Sequence, residues 1–318
     1  MLNFFVRLGH PVMLARSMVA LLFTAVLAGE WDVWWHVTIG RDTFFEPPHI
    51  LLYGAIVGAI AVGVIGWYGT REKAWARISA ALLALPLIVA PLDELWHGWF
   101  GVENLTSPLV IWSFPHVLLI VGIILAAVFA LPLVGRDSSA EARKIFGAAL
   151  FASALSLAII LAIPTNPIGA YHVLGFWGTI LGAFFVTLAF LSSARWLGGF
   201  APATLFAVFF LVLYMAGIRE KVGEGIIIPL HATFPPWVVV FAYLAAGLWT
   251  DISARYPSLL RGTAIAAIWS LLLYGITAFF IADPRLAYGL GKTLIAVFSA
   301  GVGGLIAAMC YVKMTGEK

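Results

Sequence analysis

The chain consists of long apolar stretches separated by short segments rich in charged residues, proline and glycine. A membrane-spanning helix needs about 20 predominantly apolar residues, and only helices and closed barrels satisfy their backbone hydrogen bonds in hydrocarbon. The apolar stretches have helical length, so we predict an all-α, polytopic transmembrane helical bundle. About ten spans are predicted, near residues 11–31, 48–68, 78–97, 114–134, 145–163, 171–193, 200–217, 228–249, 262–282 and 288–312.

Composition excludes a soluble protein. Of the 318 residues, 63% are hydrophobic and only 10% are charged, whereas soluble domains carry about 25% charged residues. The single cysteine, Cys310, excludes an internal disulfide framework and any multi-cysteine zinc or iron–sulfur site within the chain. The net charge of +3 includes no basic run, so no nucleic-acid partner is predicted. The expected surroundings are a lipid bilayer.

The distribution of Lys and Arg predicts the orientation, because basic residues of short loops are retained on the cytoplasmic side. With the N-terminus inside, the inner segments carry thirteen Lys and Arg residues and the outer loops carry four. An even number of spans then places both termini in the cytoplasm. We expect a multi-pass protein of a bacterial or archaeal cell membrane. The first apolar stretch is expected to remain as a helix rather than to be cleaved as a secretory signal.

An internal repeat appears at an offset of 61 residues. In each copy an Asp stands four residues before the His of a Trp-His pair, a Gly follows that His by four residues and an acid by six, and a Pro-His pair opens the next apolar stretch. The chemistry-bearing residues are Asp32, His36 and His49 in the first copy and Asp93, His97 and His116 in the second. We expect a duplicated two-hairpin region over residues 1–135, with repeats near 11–68 and 78–134, and further transmembrane helices over 136–318.

The spacing suits a metal site. Residues i and i+4 share a helix face, so each Asp points the same way as the first His of its copy. Pro48 and Pro115 suit the first turn of a helix and place His49 and His116 at the start of the returning helix. Two imidazoles and one carboxylate would then converge, which is the ligand set of a common iron site, and imidazole also suits copper and zinc.

Other interpretations of these residues exist. A single His or Asp at a helix end is more often an interface residue, and Trp beside it is typical of the aromatic belt. The duplication favours metal binding, either at both copies or at one copy with the other as a structural echo. Asp42, Glu46, Glu94 and Glu103 could be extra ligands, bases or hydrated loop charges, and the last interpretation is preferred for Glu46 and Glu94. Residues that would support the six ligands are Trp35, Trp96 and Glu103, and possible additional ligands are His172 and His231.

The first copy carries a family resemblance. Asp32, the His four residues later, the run Arg41-Asp42-Thr43 and the Pro-x-His thirteen residues after the first His resemble the metal-site segment of the C subunit of copper membrane monooxygenases. These are the particulate methane, ammonia and short-alkane monooxygenases. The resemblance implies that Asp32, His36 and His49 are copper ligands, with Arg41 and Asp42 supporting them.

The predicted function is that of a membrane metalloprotein, a copper or iron oxidoreductase or monooxygenase-like subunit. It would act on a small hydrophobic substrate at an outward-facing site walled by aromatic side chains. These are Trp31, Trp34, Trp35, Phe44, Phe45, Trp96, Trp99 and Phe100. Copper is the preferred ion, iron and zinc are alternatives, and one or two ions would be bound; no catalytic residue is assigned. The alternatives are a metal-loading or transport protein and a structural subunit of a larger complex. Other membrane subunits or further copies of the chain are possible partners.

Overall fold

A computed structural model describes residues 11–39, 44–69, 73–100, 113–135, 137, 139–162, 173–198, 204, 207, 236–276 and 290–317. All regular structure in these ranges is helical, as predicted. The nine helices are α1 (Pro11–Thr38), α2 (Pro47–Gly69), α3 (Lys73–Phe100), α4 (Phe114–Val134), α5 (Ala140–Ala162), α6 (Val173–Leu197), α7 (Pro236–Ile252), α8 (Ser258–Ser270) and α9 (Leu290–Thr315). A π-helical segment, Leu271–Ile276, continues α8.

Eight of the described helices are long and apolar enough to cross a bilayer, which indicates an integral, multi-pass membrane protein. Helix α7 is apolar but has only 17 residues. The predicted span over 200–217 falls outside the described residues except for positions 204 and 207. The total of ten spans and the cytoplasmic termini therefore stay predictions.

The first of two compact units contains α1–α4 and the first part of α5. Helix α1 packs on α2, α2 on α3, α3 on α4 and α4 on α1, which closes a four-helix bundle with an aliphatic core. Near one end, Arg16 Nε donates to Asp137 Oδ2 at 2.9 Å and joins the start of α1 to the segment after α4. The end of α1, the start of α2, the end of α3 and the start of α4 therefore share the opposite end of the bundle.

The second unit contains the rest of α5 and helices α6–α9. Its buried side chains include Trp269 and Tyr243, whose ring centroids are 6.1 Å apart. Close to the C-terminus, Arg195 of α6 and Ser258 of α8 donate to Glu317 at 2.6 and 2.8 Å. These contacts bring the ends of α6 and α9 and the start of α8 to one side of this unit.

Helix α9 approaches α6 and α8 closely at two glycines, Gly303 and Gly304. A Cβ atom at Gly304 would lie 2.5 Å from Cβ of Ala266 and 2.6 Å from the carbonyl oxygen of Gly262. A Cβ at Gly303 would overlap the carbonyl oxygen of Ile180. Small residues permit this backbone-to-backbone packing, which is a main source of helix association in membranes.

We expect Gly304→Ala to destabilise the second unit by about 1–3 kcal/mol, because the added methyl group must push α9 away from α8. The thermal unfolding midpoint in detergent measures the effect. Gly301→Ala is the matched control on the same helix, since its Cβ would meet no atom nearer than 3.9 Å. Equal midpoints for the two variants would contradict the close packing.

The pKa of Asp137 lies below its ordinary value of 3.8, mainly because the Arg16 side chain donates a hydrogen bond to the carboxylate; burial acts in the opposite direction. A group whose pKa is lowered by folding stabilises the protein above its unfolded pKa, and this contribution disappears as the pH falls through the folded pKa.

We therefore expect Asp137→Asn to lower the unfolding midpoint at pH 7, and the difference from the wild type to shrink as the pH falls below about 4. The Arg16 side chain is 41% exposed, so screening keeps the contribution to about 1 kcal/mol. Midpoints measured from pH 7 to pH 3 test this, with Glu141→Gln as the control at an exposed carboxylate. A difference independent of pH would show that the ion pair is not its cause.

Candidate metal centres

The second repeat forms a buried cluster of Asp93, His97 and His116, named the α3–α4 cluster. The Nε2 atom of His97 lies 3.4 Å from Asp93 Oδ2, and the Nε2 atom of His116 lies 3.3 Å from Asp93 Oδ1. The two imidazole centroids are 5.5 Å apart. Each oxygen of one carboxylate thus faces a different imidazole.

Local sequence explains this arrangement. Asp93 and His97 stand one turn apart near the end of α3, so they share a face. Ser113 caps α4: its Oγ accepts a hydrogen bond from the His116 backbone N–H at 3.2 Å, and Pro115 lies in the first turn. The Ser113 cap therefore fixes the position of His116, whose imidazole faces Asp93 on α3.

The first repeat forms the α1–α2 cluster, made of Asp32, Glu46 and His49. The Nε2 atom of His49 lies 3.1 Å from Asp32 Oδ1. The three residues offer ligand atoms that all lie within 4.8 Å of one another, and Glu46 and His49 are buried. Asp32 comes from α1, while Glu46 and His49 flank the start of α2.

A backbone contact orients the His49 ring. Its Nδ1 atom lies 3.0 Å from the carbonyl oxygen of Phe44. A carbonyl only accepts, so Nδ1 carries the hydrogen and, in a neutral ring, Nε2 presents its lone pair towards Asp32. This is the hydrogen-bonding pattern that commonly supports a histidine ligand. The Phe44 ring also stacks on Tyr53, with centroids 5.5 Å apart.

The α3–α4 cluster has the dimensions of an ion site. Two nitrogen or oxygen ligands about 2.0–2.1 Å from one ion at near-tetrahedral angles are about 3.4 Å apart. The separations of 3.3 and 3.4 Å around Asp93 match that value. The donor atoms are the carboxylate oxygens and imidazole nitrogens that first-row transition metals accept. Both groups could therefore hold a metal ion.

Comparison with known proteins yields no relative. No family model matches the chain, no curated protein matches it, and no solved structure matches it. The two clusters are interpreted from their own geometry and chemistry.

The structure brings five of the six predicted ligands into the two clusters. The sixth, His36, lies within α1, but its side chain is outside the described residues. Of the supporting residues, Trp35 packs edge-on against Trp31 and Trp96 packs on Phe100, with centroids 6.0 and 4.4 Å apart. The remaining predicted site residues lie outside the described residues, namely Arg41, Asp42, Glu103, His172 and His231.

The interpretation of Glu46 as a hydrated loop charge is wrong. Its side chain is only 4% exposed and joins the α1–α2 cluster. The Glu46 carbonyl oxygen accepts the first helical hydrogen bond of α2, from the N–H of Ile50 at 3.0 Å. The i, i+3 spacing from Glu46 to His49 was the sequence signal for this, since it puts both on one turn. Glu94 is exposed but lies within α3 rather than in a loop.

Of the aromatic residues expected to wall the site, Phe44 packs against His49 with ring centroids 5.5 Å apart, whereas several others are exposed. Trp99 is 75% exposed, and Phe45 and Phe100 also lie on the outer surface of the chain. The hydrophobic pattern did not distinguish a ring that faces lipid from one that faces a pocket. An open apolar cleft of about 470 Å³ lies instead between α1 and α2, lined in part by Leu21, Pro47, Ile50 and Leu51.

We expect Ser113→Ala to destabilise the start of α4 by about 1 kcal/mol and to weaken metal retention by the α3–α4 cluster, because the turn carrying His116 loses its cap. Unfolding midpoint and bound metal per chain are the measurements. Ser139→Ala is the matched control, since Ser139 Oγ accepts from Ala142 N–H at 3.1 Å at the start of α5. Equal metal loss in both variants would contradict a local effect on His116.

Proposed function

We propose that the protein is an integral membrane metalloprotein whose two clusters hold ions for oxidative chemistry. The observation that carries the proposal is the convergence of two imidazoles on the Asp93 carboxylate. Two histidines and one carboxylate are the ligand set of non-haem iron oxygenases, and three protein ligands leave coordination positions open. A redox-active ion at such a site would supply the activation of dioxygen.

The contribution of the chain is to position the ligands and limit water. Asp93 and His97 are buried, so their separation is set by packing rather than by solvent. His116 keeps 20% of its side chain exposed and gives the α3–α4 cluster its accessible side. A site of this kind needs fixed ligands and one open approach, and both features are present.

The resemblance to the C subunit of copper membrane monooxygenases supports copper as the preferred ion, with iron and zinc as alternatives. It also supports a monooxygenase-like reaction on a small hydrophobic substrate. The apolar cleft between α1 and α2 is consistent with this, because Pro47, Ile50 and Leu51, which help line it, flank His49 along the chain. A substrate dissolved in lipid would reach this end of the first unit without crossing water.

The orientation predicted from the sequence supports a site on the outer side of the membrane. Both clusters lie at the end of the first unit opposite the Arg16–Asp137 ion pair. The excess of Lys and Arg in the predicted inner segments assigns the Arg16 end to the cytoplasm. Exposed aromatic residues near α3, such as Trp99 and Phe100, would face lipid or another membrane subunit.

Metal handling is the second candidate function. The partial exposure of His116 would allow an ion to exchange with an external chelator. A metal-loading or transport protein needs that exchange and no change of redox state. An oxygenase needs an ion whose redox state changes with reductant and dioxygen.

The test is metal analysis of the full chain purified in detergent. We expect His97→Gln to lose about one metal equivalent per chain, since it removes one of three ligands, while Glu94→Gln, at the exposed neighbour of Asp93, keeps the wild-type content. Paramagnetic resonance before and after reductant and dioxygen then separates the two functions. A metal content that is near zero in the wild type after loading with copper, iron or zinc would refute the proposal.

A further inference from the structure

The two clusters differ in their donors although they derive from one repeat. Among the side chains that the structure describes, the α1–α2 cluster has two carboxylates and one imidazole, while the α3–α4 cluster has one carboxylate and two imidazoles. We propose that they differ in selectivity: the α1–α2 cluster favours hard divalent cations such as Mn²⁺ or Fe²⁺ over Cu²⁺ or Zn²⁺ more strongly than the α3–α4 cluster does. This rests on the proposed function, in which both clusters bind metal.

Glu46 is the residue that makes the difference. It precedes His49 by three residues, as Ser113 precedes His116. The backbone roles of the pair are the same: the carbonyl oxygens of Glu46 and Ser113 each accept the first helical hydrogen bond, from Ile50 and Val117, at 3.0 Å. One repeat thus places a capping hydroxyl where the other places a buried carboxylate.

Charge supports an ion at Glu46. Asp32 and Glu46 bring two carboxylates within 4.8 Å of each other, and the Glu46 side chain is almost fully buried. Carboxylates this close repel one another when both are charged, and low polarity strengthens the repulsion. A divalent cation between them neutralises both charges, with a neutral His49 completing the ligand set. The described part of the α3–α4 cluster has a single carboxylate and therefore no such carboxylate pair.

Ligand chemistry sets the direction of selectivity. Carboxylate oxygens suit Mn²⁺ and other hard cations, while imidazole suits copper and zinc. Copper binds more tightly than manganese at almost any site of this kind, so the proposal concerns the ratio of affinities at each cluster. The α1–α2 cluster keeps two carboxylates whether or not His36 adds an imidazole.

The experiment uses the metal-stripped full chain in detergent, titrated with Mn²⁺ and Zn²⁺ separately and together. Bound Mn²⁺ is followed by paramagnetic resonance and both ions by elemental analysis. We expect Glu46→Gln to weaken Mn²⁺ binding at least about tenfold while Zn²⁺ binding at the α3–α4 cluster is kept, because removing a charged ligand lowers affinity for a hard cation. His97→Gln should weaken Zn²⁺ binding at the α3–α4 cluster while Mn²⁺ binding at the α1–α2 cluster is kept. Glu94→Gln, which changes an exposed carboxylate outside both clusters, is the matched control.

Glu46→Ser serves as the second variant, because it installs the capping residue of the other repeat and preserves the start of α2. We expect it to weaken Mn²⁺ binding to a similar extent as Glu46→Gln does. Unchanged Mn²⁺ affinity in a folded variant, or the same Mn²⁺-to-Zn²⁺ affinity ratio at both clusters, would overturn the inference and leave metal binding itself standing. Binding of neither ion by the wild type would refute the proposed function as well.

Discussion

Each oxygen of the buried Asp93 carboxylate faces one imidazole, and this contact constrains the whole first unit. A carboxylate in an apolar helical bundle is costly unless hydrogen bonds or a cation compensate its charge. His97 on α3 and His116 in the first turn of α4 face the carboxylate and provide this compensation. Both helices must therefore be held in a fixed relative position, and the packing below the cluster does so: a Cβ on Gly122 of α4 would lie 3.0 Å from Cδ of Pro86 on α3.

The ion pairs described in the first unit lie at its two ends. The Arg16–Asp137 ion pair lies at one end and the two clusters at the other, while the intervening core is aliphatic. Aliphatic packing tolerates sliding of one helix along another better than paired charges do. The ion pairs at opposite ends therefore set the positions of the helices along their axes. The length of the apolar stretches alone does not determine these positions.

Sequence reasoning captured what depends on local spacing. The pairing of Asp93 with His97 follows from one helical turn, and the return of His116 follows from the Ser-x-Pro-His start of α4. The burial of Glu46 was not captured, because it depends on where α2 begins relative to α1, and that is a tertiary property. The exposed position of Trp99 was missed for the same reason: in a membrane, apolar character does not distinguish the lipid-facing side of a helix from the inward-facing side.

The sequence repeat accounts for the similar backbone arrangement of the two clusters, and the exchange of Glu46 for Ser113 accounts for their difference in charge. The first histidine precedes the second by thirteen residues in the first repeat and by nineteen in the second. In both, the residue three positions before the second histidine begins the returning helix. A Ser there uses its side chain to cap the helix, whereas a Glu can extend its carboxylate into the cluster. The two repeats therefore differ in the donor groups of their clusters while sharing the same backbone hydrogen bond at this helix-start position.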